Sequence, residues 1–228
     1  IEILTKCRTI DEALFYVGKT LENGWSCAVL LNFLDARLFE TQGKALTNFR
    51  KNLPEPMSDL AQQTLKDPYN FDFLTMRENY NERELEDALT TNITRFLLEL
   101  GSGFAFVGRQ VRLEVNGNEY FIDLLFYHLK LRCYTVVELK VTEFKPEYLG
   151  QLGFYVTAVN RQLRRTEDNP TIGLIICKTK DRVVAEYALE GTNQPLGISQ
   201  YDLMKVTSEE LKNTLPSIEE IENELNEE

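Results

Sequence analysis

Residues 121–126, Phe121-Ile122-Asp123-Leu124-Leu125-Phe126, and residues 137–140, Val137-Glu138-Leu139-Lys140, decide how this chain is read. Both are short apolar runs of the kind that form β-strands. Each carries charge where a strand would bury hydrocarbon: Asp123 in the first, Glu138 and Lys140 in the second. A buried carboxylate is costly unless it is paired or holds a metal. Alternate residues of a strand share a face, so Glu138 and Lys140 point the same way. If the two strands pair as a meander, Asp123 lies beside Glu138 on that face. Two carboxylates and an ammonium then meet at one point of a sheet. Hard oxygen ligands of this kind suit Mg²⁺, which keeps several waters and accepts phosphate oxygens. Such an ion acidifies a bound water, and Lys140 is placed to orient it or to stabilise developing charge. The competing reading is an ordinary ion pair of Glu138 with Lys140 or Lys130 on a solvent-facing edge. The flanking Val136, Val137, Leu139 and Val141 favour central strands buried on both faces.

Working outward, Leu85, Leu89, Ile93, Phe96 and Leu100 recur at helical spacing after Asn81, and Gly101 and Gly103 end that helix. A strand over 106–115 turns at Asn116-Gly117-Asn118, a hairpin signal, into a strand over 119–128. A basic turn at 130–132 leads to a strand over 134–141. Pro146 opens a helix to about residue 165; the apolar run 171–177 is a buried strand; 182–189 is a short helix and 197–201 a last short strand. The order is α-β-β-β-α-β-α-β. Upstream, residues 1–53 read as a helical fragment. One helix starts at Asp11, Gly24-Trp25-Ser26 breaks it, and Ser26 caps a second through Val29, Leu30, Phe33 and Leu38. Residues 54–80, with Pro54, Pro56 and Pro68, read as an irregular linker that Tyr69, Phe71 and Phe73 dock onto a neighbour. Residues 81–205 form the main domain. Residues 206–228 read as an acidic helical tail, Ser217 capping a stripe of Ile218, Ile221 and Leu225.

Composition narrows the classes. The chain has 228 residues, 43% of them hydrophobic, enough for one large domain with an appendage. No apolar run approaches the roughly 20 residues that span a bilayer, and no signal-peptide pattern is present. The first residue is isoleucine, so a longer protein is expected. Cys7, Cys27, Cys133 and Cys177 have no metal-clip spacing, which fits reduced thiols and a cytoplasmic location. His128 is the single histidine, which sets aside His-cluster zinc sites and a Cys-His dyad. The absence of a glycine-rich phosphate loop after a strand argues against a small-molecule α/β enzyme. The net charge of −11 argues against a nucleic-acid partner only weakly, because −7 of it falls in residues 201–228. Arg161, Arg164 and Arg165, and again Lys178, Lys180 and Arg182, form local basic clusters that suit phosphates or, equally, helix C-termini.

An aspartate followed by Glu-x-Lys on consecutive strands, after a helix that bears glutamate, resembles the PD-(D/E)xK nuclease superfamily. Longer words narrow this to a YhcG-type nuclease family of bacteria: Phe104-Ala105-Phe106-Val107-Gly108-Arg109-Gln110, residues 121–128, residues 137–140, Phe144-Lys145-Pro146-Glu147-Tyr148, and Val184-Ala185-Glu186-Tyr187-Ala188-Leu189. The likeness extends over essentially the whole chain. Residues 1–53 then resemble the end of an N-terminal winged-helix-like region. The implied fold is a restriction-endonuclease-like α/β core, α-β-β-β-α-β, with a mixed central sheet flanked by helices.

The resemblance also implies roles. Asp123 and Glu138 would be metal ligands for Mg²⁺, with Mn²⁺ as a substitute, and Lys140 the catalytic lysine. The superfamily often adds a glutamate from the preceding helix. Glu82 and Glu86 are the candidates, each three residues before a core leucine, and Glu86 is favoured as nearer the sheet. Gln151 and Tyr155 stand at i and i+4 and so share a helix face. They resemble a Gln-Leu-x-x-Tyr motif of RecB-like members, in which the glutamine touches the metal site or DNA. His128 is expected on the face opposite Asp123, in a structural role. The expected activity is metal-dependent hydrolysis of DNA phosphodiester bonds, endo- or exonucleolytic, in defence or recombination, with a homodimer for duplex cutting. The alternative from a different class is an inactive nuclease fold that binds DNA or protein.

Overall fold

The computed structural model describes residues 2–35 and 37–203. The chain opens with α1 (Glu2–Lys6), α2 (Ile10–Asn23), α3 (Cys27–Asp35) and α4 (Leu38–Thr41). Thr9, not Asp11, caps α2, by accepting the Glu12 N–H at 3.1 Å. Gly24 ends it in the left-handed region, and Ser26 accepts the Val29 N–H at the start of α3. Tyr16, Leu30, Phe33, Leu34 and Leu38 give these helices a small core of their own.

Next come β1 (Leu46–Thr47), α5 (Phe49–Asn52), α6 (Met57–Thr64) and β2 (Tyr69–Asn70). These depart from the sequence reading of a fragment followed by a linker. Ala45, Phe49, Leu53, Met57, Ala61, Leu65, Tyr69 and Phe71 all belong to the main core. Asn48 is the tie: its side-chain amide donates to the Gln194 carbonyl at 2.9 Å, and its oxygen accepts the Leu196 N–H at 2.9 Å. Tyr69 and Phe71 do dock this segment, with Phe71 stacked on Tyr201 inside the core, but the segment is built of short elements and is not an irregular linker. Strands of two residues leave no period-2 signal, and the prolines obscure the helix between them.

The remaining elements are α7 (Glu82–Thr91), α8 (Ile93–Leu100), β3 (Phe104–Val115), β4 (Asn118–His128), β5 (Cys133–Glu143), α9 (Tyr148–Gln162), β6 (Ile172–Thr179), α10 (Arg182–Glu190) and β7 (Leu196–Asp202). Their order is the one the sequence predicts, except that the helix after Asn81 is two helices. The apolar spacing runs through Asn92, but Thr90 and Asn92 turn their side chains back onto the Glu86 and Ala88 carbonyls, and the backbone departs from helix at Asn92. Side-chain bonds of this kind compete with helix geometry. Asn81 and Glu84 form a capping box that fixes where α7 begins. Asn116 and Gly117 both take positive φ in the two-residue hairpin.

The sheet runs β1-β7-β6-β5-β4-β3, with β2 beside β7. β3, β4 and β5 form an antiparallel meander, and β5, β6 and β7 are parallel, so the sheet is mixed. One face is covered by α5 to α8, burying Leu85, Leu89, Phe96 and Leu100 on Leu124, Phe126, Val137 and Leu139. The other is covered by α9 and α10, burying Leu152, Val156, Val159 and Ala185 on Leu125, Val136, Ile175 and Ile198. This is the α-β-β-β-α-β core, with a mixed central sheet flanked by helices, that the resemblance implies. β4 and β5, the strands that carry Asp123 and Glu138, are interior, and Val137 and Leu139 are fully buried.

At the far end of β4, His128 is buried under Gly103. Its Nδ1 accepts the Leu131 N–H at 3.0 Å, and burial holds the imidazole down at about 4. A cavity of about 120 Å³, lined by Trp25, Phe33, Lys66 and His128 among others, separates the N-terminal helices from this end of the core. No helix among the described residues is long and apolar enough to cross a membrane. The expected acidic tail at 206–228 lies outside the described residues.

Candidate active site

β4 and β5 are paired from His128↔Cys133 to Leu124↔Val137, and the ladder stops there. The next position in that register is Asp123 opposite Glu138. Instead of closing another backbone pair, each side chain turns to its partner's strand. The Asp123 carboxylate accepts the Leu139 N–H at 3.0 Å, and Glu138 Oε1 stands 3.4 Å from the Asp123 N–H. The strands thus diverge around two carboxylates, which satisfy backbone donors that the sheet leaves open.

Lys140 shares the Glu138 face, as alternation requires, with its Nζ 3.7 Å from Glu138 Oε2. The Tyr148 ring lies 5.3 Å from that ammonium. From the opposite side α7 contributes Glu86, which is 3% exposed and is buried on that helix alongside Leu85 and Leu89. Gln110 of β3 connects it to the pair: its amide donates to Glu86 Oε2 and to Asp123 Oδ1, the latter at 3.4 Å. Arg109, next to it, bonds Asp87 and lies 3.9 Å from Glu86. Gln151 donates to the Tyr155 hydroxyl at 3.0 Å, and Tyr155 feels the charges of Glu138 and Asp123.

The electrostatics follow from burial and crowding. Burial, then the neighbouring Asp123 charge, push the Glu138 carboxyl up to about 8, against the opposing pull of Lys140. Burial also raises Asp123, opposed by the Leu139 N–H and Lys140, and raises Glu86, opposed chiefly by Gln110. Three carboxyls are therefore held above their ordinary range with a single ammonium inside the cluster. That donor set fits a hard divalent cation.

A family model, the YhcG PDDEXK nuclease domain, matches residues 62–216, more than half of the chain. The chain belongs to the YhcG nuclease family. An Escherichia coli (strain K12) protein named "Putative nuclease YhcG" is 34% identical over 226 residues, which cover 95% of this chain. The chain spans 60% of that relative's length. Among solved structures it is similar to a repair endonuclease from Pyrococcus abyssi, at 13% identity and a TM-score of 0.36 over 58% of this chain and 50% of that one. It is similar also to EndoMS in a double-stranded DNA complex, at 14% identity and a TM-score of 0.39 over 60% of this chain and 49% of that one.

Nucleases of this PDDEXK kind generally use divalent metals. In this YhcG-family chain the sequence-predicted Asp123, Glu138, Lys140 and Glu86 fall in one cluster, whereas Gln151 bonds Tyr155 and neither side chain bonds the cluster. Glu82 lies one helical turn away and touches the cluster through its charge on Asp123. Among the described residues no three His, Cys, Asp or Glu side chains close on one point as a full metal cage. A divalent metal here would complete its shell from water and substrate. His128 stands apart, as expected. Of the basic residues downstream, Lys180 pairs with Asp67, Arg182 with Glu186, and Arg164 holds the Asp168 carbonyl. Sequence reasoning assigned no role to Gln110. Its position in the conspicuous run 104–110 was the available signal, but nothing in that run marks one residue from the next.

Proposed function

We propose that this chain is the catalytic part of a metal-dependent nuclease that hydrolyses DNA phosphodiester bonds in the bacterial cytoplasm. The observation that carries this reading is the parting of β4 and β5 at Asp123 and Glu138, which leaves two carboxylates beside Lys140 without a closing ladder. Asp123 and Glu138 would hold Mg²⁺, or Mn²⁺ in its place. The bound ion supplies Lewis-acid polarisation of the phosphate and neutralises its charge. Lys140 then directs the attacking water and stabilises the added negative charge of the transition state. Its ammonium is steadied by Glu138 and the Tyr148 ring. Gln151 and Tyr155, bonded to each other on α9, would position the substrate backbone. Because one such site cuts one strand, duplex cleavage calls for a homodimer.

The test is a cleavage screen of linear, nicked and branched DNA, with free and blocked ends, using the full-length protein with Mg²⁺, Mn²⁺ or EDTA. Cleavage that requires the metal and disappears in Glu138→Ala is the expected result. Blocked ends separate endo- from exonucleolytic action. DNA binding that survives EDTA and Lys140→Ala, with no substrate cut, would make the chain a binding module instead.

A further inference from the structure

We propose that Gln110 is a positioning residue that recruits the helix carboxylate Glu86 to the Asp123 side of the metal site, and that β3 keeps a left-handed residue for this purpose. The proposal rests on the metal-site reading above. Gln110 lies in mid-strand with φ 45. Its neighbours Arg109 and Val111 pair with Leu124 and Ile122, so Gln110 is level with Asp123. A left-handed backbone is unfavourable for a residue with a Cβ, and such outliers persist where the surroundings over-determine them.

The effect on the strand is visible. In regular alternation residues 109 and 111 share a face. Here Arg109 reaches Asp87 and Thr90 on α7, whereas Val111 packs in the α9 layer. The chain changes layer at Gln110, level with the same change in β4 between Leu124 and Ile122, and the side chain between them reaches both α7 and β4. Its single amide nitrogen then spends both N–H donors on two different carboxylates, Glu86 and Asp123. A cation in that place would replace the metal. A neutral amide holds the two carboxylates at hydrogen-bond distance and leaves their remaining oxygens for an ion. Residues that orient metal ligands through such bonds are worth about 10- to 100-fold in metal affinity.

The backbone makes a clean test possible. Gln110→Gly removes the amide and at the same time relieves the left-handed conformation, so the metal-free protein should melt no lower than the native chain. Its Mn²⁺ and Mg²⁺ affinity, measured by isothermal titration calorimetry, should nevertheless fall by about 10- to 100-fold. Gln110→Asn tolerates the same backbone with a shorter reach and should lose a similar factor. Glu86→Gln should weaken binding comparably, and the Gln110→Gly/Glu86→Gln double variant should be no worse than the weaker-binding single, because the two act as one unit. Metal affinity unchanged in Gln110→Gly overturns the proposal. Affinity unchanged in Glu86→Gln overturns the recruitment of Glu86. Asp123→Asn separates this from the underlying reading: if it too leaves metal binding intact, the metal site itself is misassigned.

Discussion

Asp123 and Glu138 each address the other's strand: the Asp123 carboxylate binds the N–H of Leu139, the residue after Glu138, and the Glu138 carboxylate faces the N–H of Asp123. The two acids are thus fixed by the sheet and also repel each other inside it. Burial and the Asp123 charge hold Glu138 at about 8 against an ordinary 4.5. Without metal, the folded protein keeps a proton on Glu138 that the unfolded chain releases above 4.5. Stability from this group is therefore lost as pH rises from 4.5 to about 8 and is level beyond it. Glu138→Gln, neutral throughout, should melt higher than the native chain at pH 8 in EDTA, on the order of a few degrees, and show a flatter profile. The melting rise produced by Mg²⁺ should grow across the same window in the native chain, since the ion competes with the proton, and vanish in Glu138→Gln. Thermal melts from pH 5 to 9, with EDTA or Mg²⁺, read both effects; a native metal-free profile as flat as the variant's would contradict them.

Lys140 and the carboxylates should separate kinetically. Lys140 is close to Glu138 but carries the wrong charge for a metal ligand. Lys140→Ala should lower single-turnover cleavage by about 10²- to 10³-fold, the range for losing one preorganised group at developing charge. Its Mg²⁺ and DNA affinities should stay within a few-fold. Asp123→Ala should abolish metal binding and cleavage together. Equal loss of metal binding in the two variants would remove Lys140 from the chemistry and make it a support for Glu138.

How far the sequence discloses this site depends on contrast. Asp123, Glu138 and Lys140 stand out because charge in an apolar strand is conspicuous. The hairpin was legible because Asn-Gly names its own turn. Glu86 was narrowed to two choices by helical spacing, but the face it occupies depends on where the sheet edge falls. Gln110 was invisible, since a polar residue in an outer strand looks like any solvent-facing position, and a left-handed φ at glutamine has no signature. The strands at 46–47 and 69–70 were missed for another reason: their burial is decided by Asn48 and Tyr201, residues far away in sequence. Asn92 was missed because the apolar stripe passes through it unbroken.

Gly103 has φ 100, and a Cβ there would stand 2.9 Å from the His128 ring. The ring is held by the Leu131 N–H and by Phe104, edge-on at 4.8 Å, so it has little room to retreat. Gly103→Ala should cost about 1–3 kcal/mol from overpacking, with roughly 1 more for the backbone. In a His128→Ala background only the backbone part should remain. Urea unfolding of the four proteins measures the coupling; equal costs in both backgrounds would show that the ring is not what excludes the methyl.

Lys66 and Glu99 form an ion pair at 3.1 Å with the lysine 1% exposed and the glutamate 7% exposed. The ammonium also lies 5.5 Å from the Phe33 ring, so it joins the main core to the N-terminal helices. Glu99 accepts the Asn70 N–H at 2.9 Å and so anchors β2 as well. Burial pulls Lys66 below its ordinary range and pushes Glu99 above its own, which is the mark of charges tolerated only because they face each other. Lys66→Met strands Glu99 in the core and should cost about 3–5 kcal/mol. Lys66→Met/Glu99→Gln removes both charges and keeps the acceptor for Asn70, so it should recover most of that loss. Urea titration in EDTA compares the two, and cleavage per folded molecule should be unchanged in the double variant, because neither residue touches the Asp123 cluster. If Lys66→Met costs less than about 1 kcal/mol, the range of exposed pairs, the pair is not what fastens the N-terminal helices to the core.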